Sequence, residues 1–200
     1  ERERALGRLA PASSPAAVVS AGALLLAADL PLDPVASARI DEFHAAFMVG
    51  LVGAAADAPG PLDDGRFLGF DSCVSCHPGP TAHWPLTAHA RAYRTLVERG
   101  AQRNPDCLAC HSTGFGAPGG LLDPDADRHL VNVQCEACHG PMGRHVLDAK
   151  RTGLRPAGGG PVTEARCLTC HDPVNSPQFS YEEYRKRVAH PGSGGGSTPP

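Results

Sequence analysis

The residues of this chain with the clearest chemical potential are its eight cysteines, which form four pairs separated by two residues, each followed at once by a histidine. Histidine makes up only 10 of the 200 residues, so chance does not explain this pattern. In the CxxCH motif two thiols add to the vinyl groups of a porphyrin and the adjacent imidazole binds its iron. The sequence therefore predicts four covalently attached haem c groups, held by Cys73, Cys76 and His77; Cys107, Cys110 and His111; Cys135, Cys138 and His139; and Cys167, Cys170 and His171.

Two other uses of paired cysteines fit the pattern poorly. A structural zinc ion takes two CxxC pairs and does not require a histidine after each of them. Four disulfides in a secreted scaffold would likewise leave the four histidines unexplained. The pattern therefore favours haem over both alternatives.

The remaining histidines bear on what the irons do. Each of the four irons needs a sixth ligand. Once one histidine has been assigned to each motif, six histidines remain as candidates: His44, His83, His89, His129, His145 and His190. A haem with two axial histidines passes electrons, whereas a catalytic haem needs an open position. The count of histidines suffices for four six-coordinate, low-spin irons. It therefore favours an electron carrier over a haem enzyme.

The composition indicates how such motifs are held. Aromatic residues make up 5% of the chain, and 23 Gly and 20 Pro break it into loops. We expect a mainly α fold with extensive loops, a tetrahaem scaffold in which the haems form the core. Three regions are predicted: an N-terminal docking or assembly segment over 1–65, a tetrahaem domain over 66–190, and a flexible tail over 191–200.

Several elements are predicted within these regions. Ala16 to Ala28 suggests a short apolar strand or a buried segment, and Val35 to about Asp57 suggests a helix, so the sequence leaves the first segment open, with α/β one interpretation. In the tetrahaem domain, one helix is predicted from Thr87 to Gly100. Another is predicted to begin at a capping box of Ser180 and Glu183.

Net charge and hydropathy limit the partners. The formal charge is −3 and the pI is about 6.4, which gives no basic field for nucleic acid. No run is long and apolar enough to cross a membrane. Since haem of this type is attached outside the cytoplasm, we expect a periplasmic or extracellular protein whose export signal is not in this chain. We expect redox proteins as its partners.

The residues around the motifs resemble a known family. The stretches FLGFDSCVSCH, TAHARAY, NPDCLACHSTGFG, HLVNVQCEACHGPMGRHV and CLTCHDPVNSPQF, with a final VAHP, are similar in order and flanking residues to multihaem cytochromes of the cytochrome c-554 type. The resemblance covers Phe67 to His190. It implies a scaffold of helices and loops that carries electrons, with His89, His145, His129 and His190 as the distal iron ligands.

His44 competes with His129 for one of these positions. Its predicted helix carries Ile40, Phe43 and Phe47, and an imidazole buried among them needs a partner, which is either an iron of the same subunit or one of a neighbouring subunit. The latter would let copies of the chain assemble, and tetrahaem proteins of similar pattern polymerise into extracellular filaments.

The alternative function is a haem oxidoreductase acting on a small nitrogen or sulfur compound.

Overall fold

The computed structural model describes residues 33–56, 65–154, 156, 158–159 and 161–190. The strand predicted over Ala16 to Ala28 and the tail over 191–200 lie outside these ranges. The chain divides into two compact units, Glu1–Pro34 and Val35–Pro200, and all described residues from Val35 onward belong to the second. Within the described ranges no helix has both the length and the apolar character that a membrane crossing demands.

The described residues form nine α-helices in chain order: α1 Pro34–Ala56, α2 Asp71–Val74, α3 Pro78–His83, α4 Ala92–Val97, α5 Pro105–His111, α6 Cys135–His139, α7 Gly143–Thr152, α8 Glu164–Leu168 and α9 Tyr181–Val188. Three 3₁₀ turns lie between them, Trp84–Leu86, His89–Arg91 and Arg128–Leu130. The one extended pairing in these ranges is a single bridge between Ser112 and Val131. The predicted mainly α fold with extensive loops is confirmed for this part of the chain.

Local sequence explains why the helices are short. Helix α5 begins after Asn104, whose side chain accepts a hydrogen bond from the Asp106 amide at 2.9 Å, and Pro105 occupies its first turn. Helix α7 ends at Gly153, which adopts φ +67°, a left-handed conformation that glycine takes without strain. Such punctuation leaves most helices with one or two turns, so tertiary contacts must supply their stability.

The apolar core of the described residues is small and consists of two clusters. Met48, Leu96 and Leu108 join α1 to α4 and α5. Phe67, Leu121 and Leu130 form the second cluster, beneath the loops that flank α5. Among the described residues, six buried Leu, Phe and Met side chains are few for a unit of this size, which is consistent with a core completed by haem.

Three details differ from the sequence predictions. In α1 the Phe43 and Phe47 side chains are exposed and Met48 is the buried residue, so the apolar stripe does not face the core. The helix predicted from Thr87 begins as a 3₁₀ turn, because Pro85 and the preceding turn Trp84–Leu86 interrupt the chain there. At α9 the Ser180 side chain makes no capping hydrogen bond, so the predicted capping box is not formed.

Candidate haem centres

Each of the four CxxCH motifs lies on a helical turn of its own. The third motif forms the whole of α6, and the second occupies the end of α5. In the first and fourth motifs the histidine amide donates to the carbonyl of the first cysteine at 2.9 Å, from His77 to Cys73 and from His171 to Cys167. A helical turn brings residues three and four positions apart to the same face, so both thiols and the imidazole serve one site.

None of the eight cysteines is paired with another in a disulfide. Within the described ranges, no three His, Cys, Asp or Glu side chains converge in a way that suits a single metal ion.

Three of the four motif histidines face a second histidine from elsewhere in the chain. The ring centres lie 6.1 Å apart in each of these pairs, which are His77 with His145, His89 with His171, and His139 with His190. Of the second histidines, His145 lies in α7, His89 lies in the 3₁₀ turn His89–Arg91, and His190 follows the end of α9 by two residues. Segments far apart in sequence are thus brought to a common separation.

That separation suits one iron between two imidazoles. A transition metal binds an imidazole nitrogen at about 2.0–2.1 Å, and this nitrogen lies about 1.1 Å from the ring centre, so two imidazoles on one metal would have ring centres at most about 6.2–6.4 Å apart. The observed 6.1 Å lies just within this limit. The residues present therefore fit the group that the motifs predict.

Surrounding residues orient the motif imidazoles. The Nδ1 atom of His111 lies 2.7 Å from the Ala92 carbonyl oxygen, which only accepts, so Nδ1 carries the proton and Nε2 is left for a metal. The Nδ1 atom of His171 lies 3.0 Å from Ser176 Oγ, and the Phe179 ring stacks on this imidazole at 4.7 Å.

Burial keeps one of these pairs neutral. It lowers the pKa of His89, and the nearby His171 imidazole adds to the effect. Burial also lowers the pKa of His171. A metal ligand must be deprotonated, so both shifts favour iron binding. The Nδ1 atom of His145 is buried without a hydrogen-bond partner among the described residues.

The second motif lacks such a partner. All ten histidines lie in the described ranges, and none of the other nine makes a ring contact with His111 there. Instead Thr95 Oγ1 lies 3.3 Å from its Nδ1. The other three histidines lie elsewhere. His44 Nε2 is 3.8 Å from the Asp106 carboxylate, His129 is exposed beside the groove lined by Phe70 and Trp84, and His83 is half-buried at the end of α3.

The structure thus brings His89, His145 and His190 opposite motif histidines, while His129 and His44, the two alternatives for the fourth position, are not brought opposite His111. The reason for His44 is visible in α1, because its Nε2 atom lies near Asp106 of α5 and its ring contacts the neighbouring Phe43 ring at 6.0 Å. The ligand assignments themselves stay predictions.

Thiols of different motifs lie close together. A hydrogen bond with Cys135, followed by burial, raises the pKa of Cys73. Burial and then a hydrogen bond with Cys170 raise the pKa of Cys110 to about 12. Burial raises the pKa of Cys138 too, with a smaller contribution from Cys167. These contacts place the first motif beside the third, the third beside the fourth, and the fourth beside the second.

Sequence reasoning missed two residues beside the third motif. The Glu136 carboxylate is buried and accepts hydrogen bonds from three backbone amides. The Gln134 side chain accepts from the Phe70 amide and donates to the carbonyls of His129 and Val131. One signal was available, because Glu136 is the only charged residue between the cysteines of any motif.

The motifs, the ring pairs and the mainly helical scaffold define a multihaem c-type cytochrome. Residues 72–140 match the family model described as cytochrome c554 and c-prime. Cytochrome c-554 of Nitrosomonas europaea is 32% identical over 146 residues, which are 58% of this chain and 59% of that protein. The solved structure of the reduced state of that cytochrome matches with a TM-score of 0.48 and 26% identity, over 62% of this chain and 84% of that one.

The resemblance predicted from the sequence is thereby confirmed, since residues 72–140 of this chain are similar to the cytochrome c554 family. Its cofactors are four covalently attached haem c groups, one for each CxxCH motif. The chain spans about 59% of the length of the curated relative.

Proposed function

We propose that this chain is a tetrahaem electron carrier. The observation that carries the proposal is the set of three imidazole pairs with ring centres 6.1 Å apart. Haem iron supplies reversible one-electron chemistry when bound. His145, His89 and His190 would fill the sixth position at the first, fourth and third motifs respectively. An iron with both axial positions filled by imidazole has no site for a substrate, so these three sites would exchange electrons only.

The thiol contacts suggest the order of the path. Cys73 lies beside Cys135, Cys138 near Cys167, and Cys170 beside Cys110. The attachment points therefore follow one another as first, third, fourth and second motif. Electrons that entered at the first motif would leave at the second, or the reverse.

The place of this function follows from the same chemistry. Haem c attachment occurs outside the cytoplasm, so we propose a periplasmic site of action with soluble redox proteins as donor and acceptor. Nothing in the described residues favours the polymerisation into extracellular filaments that the motif pattern allowed.

One observation favours a second candidate function. No described imidazole faces His111, so the second iron would keep a position to which a small molecule can bind. That arrangement is the one a haem oxidoreductase needs. The oxidoreductase alternative would therefore be located at the second motif, with the other three sites supplying its electrons.

A low-temperature electron paramagnetic resonance spectrum of the oxidised protein tests both candidates. Three low-spin haems and one high-spin haem are expected, with carbon monoxide binding to one quarter of the haem after reduction. Four low-spin haems that bind no carbon monoxide would remove the oxidoreductase and leave the carrier. Two or more high-spin haems would contradict the carrier proposal, because at least one of the imidazole pairs would then not hold an iron.

A further inference from the structure

Glu136 combines three properties that are unusual for a carboxylate. It lies between the two cysteines of the third motif, its side chain is 1% exposed, and its oxygen atoms accept only from backbone amides in the contacts described. The Leu68 and Gly69 amides donate to Oε2 at 2.8 Å, and the Met142 amide donates to Oε1 at 2.8 Å. These donors are neutral, so the negative charge remains inside the protein.

The three donors belong to segments that build two haem sites. Leu68 and Gly69 lead into α2, which carries Cys73 of the first motif. Met142 immediately precedes α7, which carries His145, the imidazole opposite His77. Glu136 itself lies in the third motif. One side chain thus connects both sides of the first haem site to the attachment helix of the third.

The backbone at the first of these segments allows this approach only with glycine. Gly69 has φ +77°, and a Cβ there would lie 2.5 Å from the His129 carbonyl oxygen. The Gln134 side chain accepts a hydrogen bond from the next backbone amide of the same segment, that of Phe70. The segment is therefore held closely against the third motif by two neighbouring side chains, one charged and one neutral.

The charge also acts on the atoms that attach haem. The pKa of Cys73 is raised first by the hydrogen bond with Cys135, then by burial and by the charge of Cys135, and the Glu136 carboxylate adds a smaller contribution. A negative charge buried this close stabilises the oxidised, more positive state of a nearby iron over the reduced one. It would act on the first and third sites and much less on the two more distant ones.

We propose that Glu136 is a positioning residue for electron transfer, one that fixes the first haem site against the third and lowers the reduction potentials of these two haems. This inference rests on the proposed electron carrier. The potentials are compared among variants that all contain haem, so the test can refute the role of Glu136 without refuting the proposed electron carrier.

The test compares Glu136→Gln, Glu136→Asp and Glu98→Gln, each purified with its haem. Glu98 is the matched control, because it is an exposed glutamate whose partner is Arg94 at 3.0 Å. Haem content is measured first, and the four midpoint potentials are then measured by spectroelectrochemistry. In Glu136→Gln two of the four potentials should rise so that the ratio of reduced to oxidised haem changes tenfold, about 59 mV for one electron. Glu98→Gln should leave all four in place.

Glu136→Asp keeps the charge but is one methylene shorter, so it should lose thermal stability while its potentials stay low. Four unchanged potentials in a fully loaded Glu136→Gln would overturn the proposal, as would an equal rise of all four. If Glu136→Gln does not retain four haems, Glu136→Asp decides. Four haems with low potentials support a role for the charge, and loss of haem in both variants counts against it, since the position would then serve folding alone.

Discussion

Replacing His145 by alanine should open one iron and leave three unchanged. The ring centres of His145 and His77 are 6.1 Å apart, a separation at which both imidazoles would be able to hold one iron. Removing one ring removes one of these bonds. The cysteines are untouched, so the variant should still contain four haems.

The size of the effect follows from the count of motifs. One iron in four should change from low-spin to high-spin, and carbon monoxide binding after reduction should rise by one quarter of the total haem relative to the parent protein. The first haem should also become easier to reduce, because an electron-donating ligand is lost. Added imidazole should restore the low-spin signal, since it fills the space that the side chain leaves.

His129→Ala is the matched control for this experiment, because His129 is exposed and faces none of the motif histidines in the structure. Its spectrum and carbon monoxide binding should equal those of the parent. If His145→Ala stayed as low-spin as the parent, the pairing of His145 with His77 would be refuted. An opened iron in His129→Ala would restore the assignment that the family resemblance implied.

Three further outcomes are expected. Burial lowers the pKa of His89 from 6.5, so the stability that its neutral form provides is complete above pH 6.5 and is lost as the pH falls through the folded-state pKa. The thermal midpoint should therefore fall more steeply below pH 6.5 in the parent than in His89→Ala. In chemical denaturation, Leu108→Ala should lower the free energy of unfolding by about 2–5 kcal/mol, and Asp106→Ala should lower it by less than about 1 kcal/mol. Both residues lie on α5, but the Leu108 side chain is fully buried and the Asp106 side chain is 88% exposed. Gly69→Ala should lower the thermal midpoint more than Gly100→Ala, since both glycines have positive φ but only a Cβ at Gly69 would meet a backbone oxygen.

The motif residues were predictable from the sequence because their chemistry depends on local spacing. A CxxCH turn brings its thiols and imidazole together whatever the rest of the chain does, so Cys107, Cys110 and His111 could be assigned without a fold. Helix α1 was predicted over nearly its full length from the spacing of its apolar residues. The face it buries was not, since Met48 and not Phe43 packs against the core.

The partners of the motif histidines depend on long-range packing. His145 meets His77 only because α7 is placed beside the first motif, and the Met142 amide that precedes α7 donates to Glu136. A count of histidines shows that four irons could be six-coordinate, but it carries no information on which rings meet. The role of Glu136 is equally non-local, since its donors Leu68 and Gly69 lie 68 and 67 residues earlier.

The unpaired motif and the added helix meet at one element. Helix α1 lies outside the 72–140 segment that matches the family model, and it contacts α5, the helix of the second motif, through Met48 against Leu108 and through His44 near Asp106. A fully buried Leu108 within the CxxC pair ties the attachment turn directly to this packing. The second site, whose His111 faces no other imidazole in the described part of the chain, is accordingly the one whose attachment helix packs directly against α1.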